Sequence, residues 1–418
     1  MRKLIIILIF FLFAANILNG DEEYSFDLSS VKKKSFEYNG YFEFRPVLSV
    51  LNKDSRVYFL NFYNIDEGST LNEYNFNLLF NLSYEKGIFR AVTTSNILIA
   101  NKFEGWENKI SFYESYISIK PSNSLSLNIG KKRMKWGKGY AWNPAAFVDR
   151  PKNPNDPELA LEGFVVFSFE YTKSFKGALK TLSISPLILP VNENINSELG
   201  NLSMFVFGGK IYLLLINTDI DLMFLSGANF NDRFGVDFSR NISSNIEVHG
   251  EFSFIPGLDQ SERVSFLLGT RFLTRTDITF IFEYYKNARG LSTSDFAEYY
   301  LEIDDAYKLY LETGESDLIE QIKESTEPAF RSFASMREYL YLRISKKEPF
   351  DILYLTPSIT AIYNLGDTSF SFAPELIYSP LTNLEFRAKI SLFFGKSGSD
   401  FGEKQNKFRL EFRGRYYF

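Results

Sequence analysis

The sequence predicts an all-β fold, a closed antiparallel transmembrane β-barrel of about 18 strands (roughly 16–18), with a small helical insert at one rim. Three observations predict it. Many segments alternate aromatic or aliphatic residues with charged or polar ones at period two, which in a strand puts the two sets on opposite faces. The connections alternate between short and long. The chain is rich in Phe (44) and Tyr (25) yet slightly polar in mean hydropathy (−0.14), as alternating strands with aromatic girdles require.

The end of the chain shows the alternation most clearly. In 406–418, Phe408, Leu410, Phe412, Gly414, Tyr416 and Phe418 share one parity, and Lys407, Arg409, Glu411, Arg413, Arg415 and Tyr417 the other. A strand between lipid and a watery lumen carries such a pattern. Bulk properties agree. Met1–Gly20 reads as a signal peptide, with Arg2 and Lys3 ahead of the apolar run Leu4–Ala15, a run too short to span a bilayer. Residues 21–418 then form a single barrel. With no Cys there is no disulfide framework and no thiolate metal site. A net charge of −5 supplies no basic field for nucleic acid. No cofactor motif stands out.

In order, the first strand covers roughly 36–50, with Glu37, Glu43 and Arg45 on its polar face, and the second 71–84. Further strands are read near 88–100, 109–120, 124–133, 162–173, 178–188, 202–215, 218–227, 232–240, 245–254, 263–273, 277–287, 336–346, 351–363, 368–379, 384–394 and 405–418. The spans 88–100, 178–188 and 218–227 alternate weakly. Long connections near 51–70, 101–108, 134–161, 189–201, 255–262, 288–335 and 395–404 fall on one side, where only those near 228–231 and 364–367 are short, and short turns fall on the other. A soluble sandwich has no reason to sort loop lengths in this way. Outward residues include Val165, Phe167, Phe252, Phe266, Leu268, Phe282, Phe372 and Leu392, and inward ones Glu247, His249, Glu251, Arg271, Glu283, Glu375 and Glu385.

Segment 288–335 has helical periodicity: Phe296, Tyr299, Tyr300, Ile303, Ala306, Tyr307 and Tyr310 recur at three- and four-residue steps. Asp295 with Glu298 suggests a capping box, Gly314 a stop, and 316–323 a second short helix. The expectation is a hairpin closing its apolar face on the barrel rim, or narrowing the mouth.

Segment 134–161 is too rich in Trp, Gly and Pro for a plain exposed loop. Trp136, Tyr140 and Trp142 require burial, and the lumen supplies it. The expectation is an inward-folding constriction whose basic limb (Lys131, Lys132, Arg133, Lys135, Lys138) meets the acidic limb (Asp149, Asp156, Glu158, Glu162) or the wall. The candidate constriction and solute-binding residues are Lys131, Arg133, Lys135, Trp136, Lys138, Trp142, Asn143 and Arg150. A second basic set, Arg387, Lys389, Arg409, Arg413 and Arg415, lines the lumen wall, either as an anion path or neutralised by the interleaved Glu385 and Glu411 and by Glu37 and Glu43 across the closing seam. Catalysis is not expected: the single His249 shares a strand face with Glu251 and Ser253, and residues two apart on one strand do not converge as a triad.

Gly130, Lys131, Arg133, Trp136, Gly137, Asn143 and Pro144 form a pattern that resembles a motif of bacterial outer-membrane barrels related to porins and to alginate-export and capsule-assembly barrels. The terminal Phe418 strand is similar to the C-terminal strand that barrel-insertion machinery recognises. The resemblance implies a Gram-negative-type (diderm) outer membrane, contact with its lipid and lipopolysaccharide, and passive diffusion of small hydrophilic solutes, and the basic sets would favour anions. Two alternatives stand beside it: export or surface assembly of an anionic polysaccharide, which the basic stretch and the motif would suit, and a surface-binding barrel without transport, with the helical insert as its binding module. The resemblance admits an oligomer, for which the sequence holds no signal.

Overall fold

A computed structural model describes residues 35–418 apart from 66–67, 104, 158, 160, 259–262 and 326–333. The signal-peptide reading and Glu158 fall outside these residues. The strands are β1 (Phe36–Leu51), β2 (Thr70–Lys86), β3 (Phe89–Lys102), β4 (Gly105–Ser122), β5 (Leu125–Lys132), β6 (Phe164–Ser174), β7 (Leu179–Val191), β8 (Met204–Leu215) and β9 (Thr218–Gly227). They continue as β10 (Phe230–Ser243), β11 (Ile246–Phe254), β12 (Val264–Leu273), β13 (Ile278–Lys286), β14 (Glu338–Lys346), β15 (Leu355–Asn364), β16 (Phe370–Leu381), β17 (Leu384–Phe394) and β18 (Asn406–Tyr417). Each pairs antiparallel with its sequence neighbours, and β1 pairs with β18, closing an 18-stranded barrel. Closure removes the unpaired edges that a bilayer would not tolerate.

The weakly alternating spans are all strands. Two connections differ from expectation. Residues 101–108 are not a long loop: β3 and β4 pair up to Lys102 and Gly105, because both strands run on as a tall hairpin. The turn after β14 is longer than expected, and β15 begins at Leu355.

The two faces separate as period two demands. Leu268 is 55% exposed on the outside, whereas His249 and Glu283 on the inner face are fully buried. Strands β11 to β15 are nine or ten residues long, the length that crosses a hydrocarbon core with tilt. The outer face carries Phe167, Phe252, Phe272, Phe282, Leu376, Ile390, Leu410 and Phe412 exposed, and lipid is the phase that covers such a belt. At the seam Glu43 lies opposite Arg415. Arg415 Nε donates to it at 2.7 Å, and Arg413 Nε lies 3.6 Å from it.

Among the described residues three α-helices lie on the long-connection side: α1 (Arg56–Phe62), α2 (Thr293–Thr313) and α3 (Asp317–Ser325). The capping box of α2 is Ser292 with Asp295, not Asp295 with Glu298: the Ser292 hydroxyl accepts the Asp295 amide, and the Asp295 carboxylate accepts the Ser292 amide. Gly314 ends the helix in the left-handed region (φ 78°). The apolar face of α2 does not stop at the rim. Phe296, Tyr300, Ile303 and Ala306 join one buried cluster with Leu60 of α1, Ile319 of α3, Trp142 and the inner-wall Tyr285, Tyr339 and Tyr341. Phe59 stacks on Tyr307 at 4.6 Å, and Arg56 pairs with Asp304 at 2.9 Å.

Candidate functional site: a strap on the inner wall

Between β5 and β6 the chain makes a 133–163 excursion that starts and finishes in one place. The Gly163 amide donates to Tyr113 O at 2.8 Å, and the Arg133 amide donates to Glu114 at 3.0 Å. Gly163 has no room for a Cβ, which would strike the Lys132 backbone. From there the segment reaches three parts of the inner wall.

Apolar contact makes the first. Trp136 (1% exposed), Ala145, Phe147 and Val148 pack with Phe164, Val166, Leu187, Leu189, Val206, Met223 and Leu225, inner residues of β6 to β9. Fully burying such side chains contributes about 1.5–3 kcal/mol each.

The second contact is backbone to carboxylate. Glu251 on β11 accepts the amides of Lys138 (2.6 Å), Gly139 (2.6 Å) and Ala145 (3.0 Å). Glu283 on β13 accepts the amides of Tyr140 and Ala141, the latter at 2.8 Å. A carboxylate has acceptor capacity for several donors and gains most when they are pre-aligned. The turn that aligns them needs Gly137 in the left-handed region (φ 87°), where a Cβ would also lie 2.8 Å from Glu251 Oε1. Behind this anchor His249 Nε2 lies 2.9 Å from Glu283, and the Tyr140 hydroxyl donates to Glu247 at 3.0 Å. The lone histidine thus braces an anchor.

The third contact is ionic. Asp156 accepts from Arg387 Nη1 at 2.9 Å and Arg413 Nη2 at 2.6 Å, and Lys389 donates to Asn155 O. Arg387 also pairs with Glu375 on β16. Burial opposes ionisation of Asp156, but the two guanidiniums outweigh it and hold the carboxyl well below its ordinary range.

The remaining candidates distribute as follows. Arg133 Nε pairs with Asp149 at 3.2 Å, Lys138 with Asp221 at 3.1 Å and Arg150 with Glu198. Burial pushes the Asp149 carboxyl up, although Arg133 works against it. Trp142 stacks on Tyr285 at 5.0 Å. Asn143 ties two parts of the segment together, donating to Arg150 O and accepting the Lys152 amide, both at 3.1 Å. Lys135 takes a left-handed conformation (φ 55°) and joins no ion pair among the described residues. Lys131 does not join the inward group. Its register partner is the outward Val165, and its ammonium pairs with Glu162. On the wall, Arg415 goes to Glu43 and to Glu385 at 3.9 Å, while Arg409 stands apart from the strap, 3.6 Å from Glu73. Parity placed Glu251 and Glu283 inward, but no sequence signal marked them as receptors for backbone amides.

These features define a class first: a closed transmembrane β-barrel with a long segment of its own chain fastened to the inner wall. No protein-family model matches the sequence, and no curated protein matches it. Solved structures do. OccAB3 of Acinetobacter baumannii is similar at 10% identity over 92% of this chain and 99% of its own, with a TM-score of 0.50. OccD3 of Pseudomonas aeruginosa matches at 8% identity over 91% of each chain, with a TM-score of 0.47. A triple mutant of Rhodopseudomonas blastica porin matches at 11% identity over 92% of this chain and 100% of that one, with a TM-score of 0.44. The likeness is one of fold.

Proposed function

We propose that this barrel is an outer-membrane channel for passive diffusion of small hydrophilic solutes, and that the 133–163 strap sets what passes. The carrying observation is the strap itself, fastened by Glu251, Glu283 and Asp156 to wall strands of an 18-stranded barrel. Barrels of 16–18 strands are wide enough for an aqueous channel, and a fixed inner segment narrows it. The strand likeness to OccAB3 and the outward apolar belt support the same reading.

Anion preference gains no support from the basic residues read in the sequence. Arg133, Lys138, Arg150, Arg387, Arg413 and Arg415 each face a carboxylate. The same pairing interrupts any continuous basic track, which disfavours export of an anionic polysaccharide. Recording from the purified barrel in planar bilayers tests the channel reading. Stepwise ohmic conductance is expected, and a silent barrel that is correctly folded would overturn it.

A further inference from the structure

Three arginines break the rule of neutralised charge. Arg233 on β10, Arg263 just before β12 and Arg289 just after β13 line one cavity together with Ser253, Ser265, Tyr285, Ile255, Pro144 and Phe147. None of the three has a carboxylate partner among the described residues. Arg233 packs its guanidinium over the Phe230 ring at 4.7 Å, and its buried Nε has no hydrogen-bond acceptor. Arg263 Nε spends one donor on Leu258 O at 2.6 Å, and Arg289 is exposed. Glu251, two residues from the lining Ser253 on the same strand face, is occupied by three strap amides.

Among the described residues, a chain of net charge −5 pairs its other strap and seam arginines yet leaves these three together without a carboxylate, an arrangement suited to an external acceptor. Guanidinium is the group suited to it. Its planar fork binds oxyanions bidentately and cannot shed its charge by deprotonating. Three such forks match a tetrahedral, doubly charged oxyanion better than a single carboxylate, and the Ser253 and Ser265 hydroxyls add donors that can rotate to suit. Strap and wall both contribute: Pro144 and Phe147 come from one side, and the Ala288 amide holds Ser265 Oγ at 3.0 Å on the other.

We propose that Arg233, Arg263 and Arg289 form a binding site for a phosphate-class oxyanion, as free phosphate or as the phosphate group of a small phosphorylated solute. As a station on the route through the pore it rests on the channel reading; as a binding site it does not.

The test is calorimetric titration of the folded barrel in detergent with inorganic phosphate, and separately with acetate, at constant ionic strength. Folding of every variant is checked by heat-modifiable gel mobility. Saturable phosphate binding is expected, tighter than acetate and weakened at least ten-fold in Arg233→Gln and in Arg289→Gln, but unchanged in Arg275→Gln on a distant turn. Arg289 is exposed and outside the strands, so its variant remains decisive if Arg233→Gln fails to fold. Absence of saturable binding, equal affinity for acetate, or native affinity in Arg289→Gln would overturn the site. Binding by a barrel that is silent in bilayers would refute the channel and leave the site; conduction without binding would do the reverse.

Discussion

Asp156 of the strap and Arg413 of the closing strand are 257 positions apart in sequence and 2.6 Å apart in space. Their contact joins the inner segment to the seam, because Arg413 also lies 3.6 Å from Glu43 on β1. Removing the carboxylate leaves Arg387 and Arg413 sharing one less counter-charge in a buried setting. Asp156→Ala is therefore expected to cost about 3–5 kcal/mol. The first visible effect is release of the strap: trypsin cleaves after Lys152 in the variant and not in the native barrel. Equal resistance in both would show that the ionic anchor is dispensable.

The two strap aspartates respond to pH in opposite senses. The folded Asp156 carboxyl is depressed, so its contribution is complete above the unfolded value of about 3.9 and is lost only as pH falls through the lower folded value. The folded Asp149 carboxyl is raised, so its contribution is complete below the unfolded value and is lost as pH rises through the folded one. Acidification toward the unfolded carboxylate value is thus expected to tighten the Asp149 region while leaving the Asp156 anchor intact. Urea midpoints compared between native protein and Asp149→Asn check this. The acid-side gain vanishes in the variant, and a gain of the same size in both would count against the assignment.

Glu251 and Glu283 act as receptors for five strap amides between them. Glu251→Ala leaves three N–H groups without an acceptor, and the two buried ones, of Gly139 and Ala145, cost about 1–3 kcal/mol each. Glu251→Gln keeps one good acceptor oxygen and should cost about half as much. Bilayer recordings should show larger and noisier conductance steps in the alanine variant, with glutamine between it and native. Native-like records from Glu251→Ala would mean that the apolar contacts of Trp136 and Phe147 hold the strap alone.

The outer belt makes a prediction independent of the strap. Leu268 lies mid-strand on β12 with its side chain outward. Leu268→Arg is expected to destabilise the vesicle-folded barrel by about 2–4 kcal/mol. Arg at the neighbouring inward position 269 is not a control, since the His249 ring already occupies that space. Arg at the exposed turn residue Thr276 is, and should cost almost nothing. A neutral Leu268→Arg would contradict the lipid-facing assignment.

Much of the barrel was legible because its code is local. Period two sets the face of each residue, and turn length sets which ends are joined tightly. The weakly alternating stretches 88–100, 178–188 and 218–227 became strands because their neighbours on both sides fix their register. The misread loop 101–108 shows the limit of the rule. Trp106, Asn108 and Ile110 are exposed, and so are Glu107 and Lys109. A hairpin tall enough to expose both faces loses the alternation that marks a strand.

The sequence by itself determined the closed barrel, its outward belt and the inventory of inward charges, since each follows from side-chain periodicity within one strand. Only the tertiary structure decided how those charges are spent. Whether Arg413 faces an open lumen or Asp156, and whether Glu251 meets water or three backbone amides, depends on groups more than a hundred residues away. Distant pairing is set by closure and by the path of the strap, and neither leaves a periodic trace in the chain. The same holds for Arg233, Arg263 and Arg289: their composition is ordinary, and only their convergence without a carboxylate sets them apart.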